Sequence, residues 1–102
     1  VRVKDISPKN SVERELALIK VSTNSLPARS EIIQTVDIFR ANIIDVNSQI
    51  VTIETTGTEE KINALIELLR PFGLKEVVRT GKIALSRGSA TTSVLKNKTE
   101  NN

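Results

Sequence analysis

The chain has 102 residues, of which 38% are hydrophobic and almost all of those aliphatic, with two Phe and no Trp, Tyr, Cys or His. This length allows one domain at most, and the lack of Cys and His excludes disulfides, structural zinc, thiol chemistry and histidine-based catalysis. The net charge of +3 is a poor indication of a nucleic-acid partner, because residues 13–73 hold six Lys or Arg against nine Asp or Glu.

The chain opens with a segment that is predicted to be a linker, residues 1–11, because it mixes charged residues with Pro and Asn. A first strand is predicted over Val12–Thr23. An apolar pattern on both faces indicates a strand covered on two sides. Its alternating residues are Leu16, Leu18 and Lys20 on one face and Ala17, Ile19 and Val21 on the other.

A helix is predicted from Pro27 to about Ala41, since proline suits the first turn of a helix. Its apolar stripe, flanked by Ile33 and Arg40, consists of Ile32, Val36 and Phe39. Two further strands, Asn42–Val46 and Ile50–Thr56, are joined by the polar residues 47–49. This pattern is typical of a hairpin.

A second helix is predicted after Thr58, which suits the N-cap position. Its stripe at helical spacing consists of Ile62, Leu65, Ile66 and Leu69, and Pro71 and Gly73 end it. A fourth strand is predicted over Leu74–Ser86, with a bulge or a close backbone approach at Gly81. Residues 89–102 are rich in Ser, Thr, Asn and Lys, a composition typical of a disordered tail.

The element order βαββαβ predicts an α+β fold of the ferredoxin-like type, a four-stranded antiparallel sheet with two helices on one face. Two helices cover only one face of such a sheet, yet the first and fourth strands are apolar on both. The fourth strand is expected to alternate Val77, Ile83 and Leu85 with Val78 and Ala84. We therefore expect the second face to be buried by self-association, giving a homodimer, or by another domain.

Four stretches form an ordered pattern, with Pro71-Phe72-Gly73 before the last strand. They are the run Val12–Val21; Arg29–Ile32 with Phe39–Ala41; Ile53–Gly57 with Lys61-Ile62; and Arg79–Gly81 with Ala84–Gly88. Together, over about residues 3–88, they resemble the C-terminal domain of the regulatory small subunit of acetolactate synthase. The resemblance implies that residues 12–88 correspond to that C-terminal domain. It also implies that residues 1–11 are a linker from an N-terminal ACT domain, which these 102 residues do not include.

The resemblance implies a non-catalytic partner that activates the large catalytic subunit and makes it sensitive to feedback inhibition by valine. The large subunit is expected to hold thiamine diphosphate, Mg²⁺ and FAD in the synthesis of branched-chain amino acids, and this chain no cofactor or metal. Since the family binds valine at its ACT domain, we expect no valine site in residues 12–88. The expected location is the cytoplasm or the plastid stroma. No membrane partner is expected, because no apolar run approaches the ~20 residues of a membrane span.

Six charged residues are candidates for contact with the catalytic subunit: Glu13, Arg14, Glu15, Arg40, Arg79 and Arg87. For each of these residues, a role in stabilising the fold is the alternative to a contact with the catalytic subunit. The charges in the first strand can pair across strands, and Arg40 at the end of the first helix suits the negative end of the helix dipole. Arg79 and Arg87 flank the fourth strand, and arginine is well suited to a bidentate ion pair. No residue is a candidate for catalysis.

Two other functional classes are compatible with the same order of elements. An RNA-recognition domain stacks bases on aromatic side chains of its sheet, but the two Phe residues of this chain are predicted on a helix and in a loop. A stand-alone ACT-like domain, dimeric through its sheet and binding a small metabolite, remains the alternative, because fold does not determine function.

Overall fold

The computed structural model describes residues 10–88. The predicted linker, apart from Asn10 and Ser11, and the predicted tail lie outside this range; Ser11 already belongs to the first strand. The elements are β1 (Ser11–Ser22), α1 (Leu26–Ile38), β2 (Asn42–Val46), β3 (Ile50–Gly57), α2 (Glu59–Leu69), a 3-10 turn (Arg70–Phe72), β4 (Leu74–Arg79) and β5 (Ile83–Ser86).

The strands form an antiparallel sheet in the order β2-β3-β1-β4, with β5 also paired to β1. This order, with two helices on one face, confirms the predicted α+β, ferredoxin-like fold. The β2–β3 hairpin is confirmed as well. Asn47 stabilises its loop, because its side-chain Oδ1 accepts hydrogen bonds of 2.8 Å from the backbone N–H groups of Gln49 and Ile50.

The predicted fourth strand is wrong in one respect, because it is two strands separated by residues 80–82. Ala17 pairs with Arg79 and Arg14 pairs with Ile83, so two residues of β1 face three residues of the other chain segment. Gly81 lies in this break with φ of +85°, a conformation that favours glycine. The extra residue acts as the bulge that Gly81 was expected to mark.

The break also reverses the predicted faces. One extra residue moves every later side chain of a strand to the opposite face. Ile83 and Leu85 pair with Arg14 and Val12, and Val78 pairs with Leu18. Because those three partners alternate on one side of β1, Ile83 and Leu85 share a face with Val78 and not with Val77. The predicted grouping of Val77 with Ile83 and Leu85 is therefore wrong.

The core lies between the helices and one face of the sheet. From α2 it contains the predicted stripe of Ile62, Leu65, Ile66 and Leu69, all buried, which confirms that helix. Thr58 caps the helix through a 3.2 Å hydrogen bond from the Lys61 N–H. The remaining core residues are Ala17, Ile19, Val21, Ile32, Val36, Val51 and Ile53.

Helix α1 ends earlier than predicted, at Ile38. Beyond it, the Ala41 N–H donates to the Val36 carbonyl at 2.9 Å and the Arg40 N–H donates to the Asp37 carbonyl at 3.1 Å. These bonds define a Schellman motif in which Arg40 holds the left-handed position that glycine prefers, with φ of +56°. Arg40 therefore lies at the C-terminal end of the helix, as expected, but just beyond its cap and outside the helical conformation that was predicted to reach about Ala41.

Replacing Arg40 with glycine is expected to raise the free energy of unfolding by about 1 kcal/mol, because it removes the steric cost of a Cβ at positive φ. Urea denaturation measures the change. Arg40→Ala is the matched control, since it removes the same side chain but keeps the Cβ. A gain in Arg40→Ala equal to that in Arg40→Gly would mean that the side chain, and not the backbone, is responsible.

The buried hydroxyl of Thr55 on β3 has no hydrogen-bond partner among the described residues. Because an unsatisfied buried polar group costs free energy, Thr55→Val is expected to stabilise the protein by about 1 kcal/mol. The neighbouring Thr56 is exposed, so Thr56→Val should change stability by only ~0.5 kcal/mol or less. Thermal unfolding tests the pair, and a destabilised Thr55→Val would contradict the assignment.

Candidate functional site

The six predicted contact residues occupy different positions. Glu15 and Arg79 are brought into direct contact. Glu13 and Arg14 lie on the segment of β1 that extends past β3, whose pairing stops at Glu15 opposite Gly57. We call this segment, Ser11–Arg14, together with β5, Ile83–Ser86, the arm.

Arg87 directly follows the arm, where its N–H donates to the Asn10 carbonyl at 2.9 Å. Arg40 lies apart from the others, between α1 and β2. The structure thus gathers five of the six residues around the arm: Glu13 and Arg14 on it, Glu15 and Arg79 at its base, and Arg87 at its far end. Whether they contact another subunit stays a prediction.

The base of the arm is held by a bidentate ion pair. Arg79 Nη2 lies 2.7 Å from Glu15 Oε1, and Arg79 Nε lies 3.0 Å from Glu15 Oε2. Arg79 Nη1 also donates to Asn63 Oδ1 at 2.7 Å, which connects the pair to α2. The Glu15 side chain is only 6% exposed, so these partners, and not water, must supply the hydrogen bonds and the opposite charge that its carboxylate needs.

The same carboxylate fixes the break between β4 and β5. The Gly81 N–H donates to Glu15 Oε2 at 3.2 Å. Beside it, the Leu16 N–H donates to Thr80 Oγ1 at 3.1 Å, and the Thr80 N–H donates to the Leu16 carbonyl at 3.0 Å. One buried side chain therefore ties together β1, the end of β4 and the turn from which the arm leaves the sheet.

These contacts set the ionisation of the pair. Hydrogen bonds from Arg79 are the main reason why the pKa of Glu15 lies below its ordinary value; the positive charge of Arg79 and the Gly81 N–H act in the same direction, against burial. The pKa of Arg79 is raised, chiefly by its hydrogen bonds to Glu15. Both groups are charged at neutral pH, so the pair acts as a fixed structural element.

The arm exposes three large aliphatic side chains on the face that the break created. Ile83 is 70% exposed, Leu85 57% and Val12 39%, and together with Arg14 they line a shallow apolar groove. The prediction did not identify this surface, because it placed Ile83 and Leu85 on the other face. The Arg79-Thr80-Gly81 sequence was the available signal, but glycine alone does not specify how many residues a bulge contains.

The basic side chain of Arg14 lines this groove, and Lys82 and Arg87 lie directly before and after β5 in the chain. Arg14, Lys82 and Arg87 are exposed. The single carboxylate on the arm, that of Glu13, lies 3.7 Å from Lys82 Nζ. Because Glu13 lies on the opposite side of β1 from Val12 and Arg14, this pair is not part of the groove, whose one charged lining residue is Arg14.

The second candidate surface is the sheet face opposite the helices, which we call the open face. Its centre is formed by Leu18, Val78 and the pair Lys20–Glu76, whose charged atoms lie 3.3 Å apart. Val78 is 52% exposed. No element of residues 10–88 covers this face, as expected from a sheet with two helices on one side.

Two further kinds of candidate site in residues 10–88 would be a metal-ion site and a membrane-spanning segment. That part of the chain contains no group of three or more acidic residues close enough to hold a metal ion. Among the same residues, no helix is long and apolar enough to cross a membrane. A polar cleft near Ser25 is closed on one side by Arg29, which donates to Thr23 Oγ1 at 2.9 Å and to the Asn47 carbonyl at 2.6 Å.

Comparison with known proteins identifies relatives of this domain. A family model described as the small subunit of acetolactate synthase matches residues 14–88. The acetolactate synthase small subunit of Aquifex aeolicus is 54% identical over 85% of this chain and 45% of its own length. The chloroplastic acetolactate synthase small subunit 2 of Arabidopsis thaliana is 52% identical over 85% of this chain and 18% of its own.

A solved structure agrees with these relatives. The crystal structure of the acetolactate synthase small subunit from Thermotoga maritima superimposes with a TM-score of 0.78 and 43% identity, covering 88% of this chain and 56% of that one. The chain thus spans about half the length of its bacterial relatives, and less of the plant one.

Proposed function

The chain belongs to the family of small subunits of acetolactate synthase, and we propose that its partner is the large catalytic subunit of that enzyme. It binds this subunit, raises its activity and takes part in its feedback inhibition by valine. The chain itself supplies no catalytic group. The match of the family model over residues 14–88 carries this proposal.

The catalytic reaction takes place on the large subunit. Thiamine diphosphate, Mg²⁺ and FAD are held by the large subunit, which forms the first common intermediates of branched-chain amino acids. This chain acts where that pathway runs, in the cytoplasm of a bacterium or in the plastid stroma. The chloroplastic relative of Arabidopsis supports the second location.

The test of this proposal is reconstitution with a purified catalytic subunit from the same organism. The 102-residue protein should form a stable complex in sedimentation and raise the rate of acetolactate formation. A variant with a destroyed core, Leu65→Asp, controls for nonspecific effects of added protein, because Leu65 is fully buried. If the folded protein neither binds nor changes the rate, the proposal fails.

The open face supports a homodimer. It combines an apolar centre with a Lys20–Glu76 pair that a second copy related by a twofold axis can match with its own charges. Sedimentation should therefore show a dimer that Val78→Asp converts to a monomer. Leu68→Asp is the matched control, since Leu68 on α2 is 53% exposed against 52% for Val78. A wild type that stays monomeric at high concentration would rule out this dimer.

A further inference from the structure

We propose that the arm is the element that docks on the catalytic subunit, in an apolar groove whose rim carries carboxylates. This inference rests on the proposed function, because it assigns a surface to a partnership argued from the family. The juxtaposition that carries it is the exposed trio Val12, Ile83 and Leu85 beside the basic side chain of Arg14, with the exposed Arg87 directly after the arm.

The apolar side chains are the first argument. A two-stranded ribbon is marginally stable in water, and this one exposes three large aliphatic side chains. Exposed apolar clusters with a polar rim mark interaction sites. The one extra residue in the break at 80–82 places Ile83 and Leu85 beside Val12, so the cluster is a product of the local fold.

Rigidity is the second argument. The arm leaves the sheet at Glu15, whose carboxylate accepts hydrogen bonds from Arg79 and from the Gly81 N–H at the break. Asn63 then holds Arg79 against α2. An element fixed before binding loses less conformational entropy on association, so these contacts favour a docking role.

The charge of the arm is the third argument, because it indicates which kind of partner the arm can bind. Arg14 lines the groove and the exposed Arg87 follows the arm, whereas the only carboxylate of the arm, on Glu13, lies on the opposite side of β1 and is close to Lys82. The adjoining sequence is basic as well, since residues 1–9 carry three bases against one acid. A second copy docked symmetrically on the arm would bring like charges together, which disfavours that pairing. A different protein with an acidic rim is the complementary partner.

The decisive experiment measures the dissociation constant for the purified catalytic subunit. Ile83→Ser/Leu85→Ser should weaken binding at least tenfold, as expected when central apolar contacts are removed. Leu68→Ser, at an exposed position on α2, is the matched control and should change it less than about twofold. Arg14→Glu/Arg87→Glu should also weaken binding, and should reduce the loss of affinity that salt causes in the wild type.

The outcomes separate the inference from the proposed function. If the wild type binds the catalytic subunit and both arm variants bind it with the same affinity, the docking role is overturned and the proposed function stays intact. If the arm variants lose the homodimer but still bind the catalytic subunit with unchanged affinity, the arm contacts a second copy of this chain. That result would also overturn the docking role. Absence of binding by the wild type would refute the proposed function and the docking role together. Melting temperatures of all variants establish that each is folded.

Discussion

Replacing Arg79 with Met is expected to lower the melting temperature by about 5 °C or more at neutral pH. The substitution leaves the carboxylate of Glu15 nearly buried without its bidentate partner, and it removes the bond to Asn63. Removing one member of a buried ion pair is far more damaging than removing both. Glu15→Gln/Arg79→Met should therefore recover part of the loss, as calorimetry can measure.

A second ion pair in the same domain provides the control. Arg70 and Glu67 lie 2.9 Å apart on the surface, with side chains 59% and 68% exposed. Exposed pairs contribute little to stability, so Arg70→Met should shift the melting temperature by no more than about 2 °C. Equal losses in Arg70→Met and Arg79→Met would contradict the structural role assigned to the pair at the base of the arm.

The pair also predicts how stability depends on pH. Because the pKa of Glu15 is lowered in the folded state, its contribution is present above the ordinary value near 4.5 and is lost as pH falls through the folded-state pKa. The difference in melting temperature between wild type and Glu15→Gln should be constant near neutral pH and shrink below about pH 4.5. A difference that grows in acid would contradict this linkage.

Replacing Ile19 with Ala is expected to lower the free energy of unfolding by roughly 2–5 kcal/mol. Ile19 is completely buried at the centre of β1, between Ile53 on β3 and Val77 on β4. Truncation leaves a cavity that neighbouring β-strands are poorly able to close. Since a small domain is stable by only about 5–15 kcal/mol, this single change removes a large part of its stability.

The neighbouring residue is a stringent control for Ile19. Leu18 lies on the open face and is only partly buried, so Leu18→Ala should cost about 1 kcal/mol or less in the monomer. Urea denaturation at several protein concentrations separates this effect from weaker dimerisation. A larger loss for Leu18 than for Ile19 at low concentration would mean that the core lies on the other face of β1.

The proposals give the two uncovered surfaces different roles. The open face has charges of both signs at its centre and suits a second copy, whereas the groove of the arm is lined by apolar side chains and by Arg14 and suits a different protein. The pair Glu15–Arg79 lies at the base of the arm, on the side of the sheet that faces α2, and holds the arm in one direction relative to the sheet. Because Ile83 and Leu85 share a face with Val78, variants at both places should be measured for dimerisation and for binding of the catalytic subunit.

Local patterns determined most of the architecture. The stripe of α2, its Thr58 cap and the polar loop beginning at Asn47 each depend on residues within a few positions of one another. Their free energies come from contacts within one helical turn or one hairpin, so the sequence alone predicts them. The order of these elements then limits the topology, and the predicted ferredoxin-like fold follows from it.

Tertiary structure decided the features that matter for the candidate site. Glu15 and Arg79 are separated by 64 positions, and only the pairing of β1 with β4 brings them together. The size of the bulge at Gly81 depends on how both strand segments fit one partner, and it determines the face of Ile83 and Leu85. Local propensity carries no information about register across such a distance, so the arm and its fixed base emerge only when the sheet has assembled.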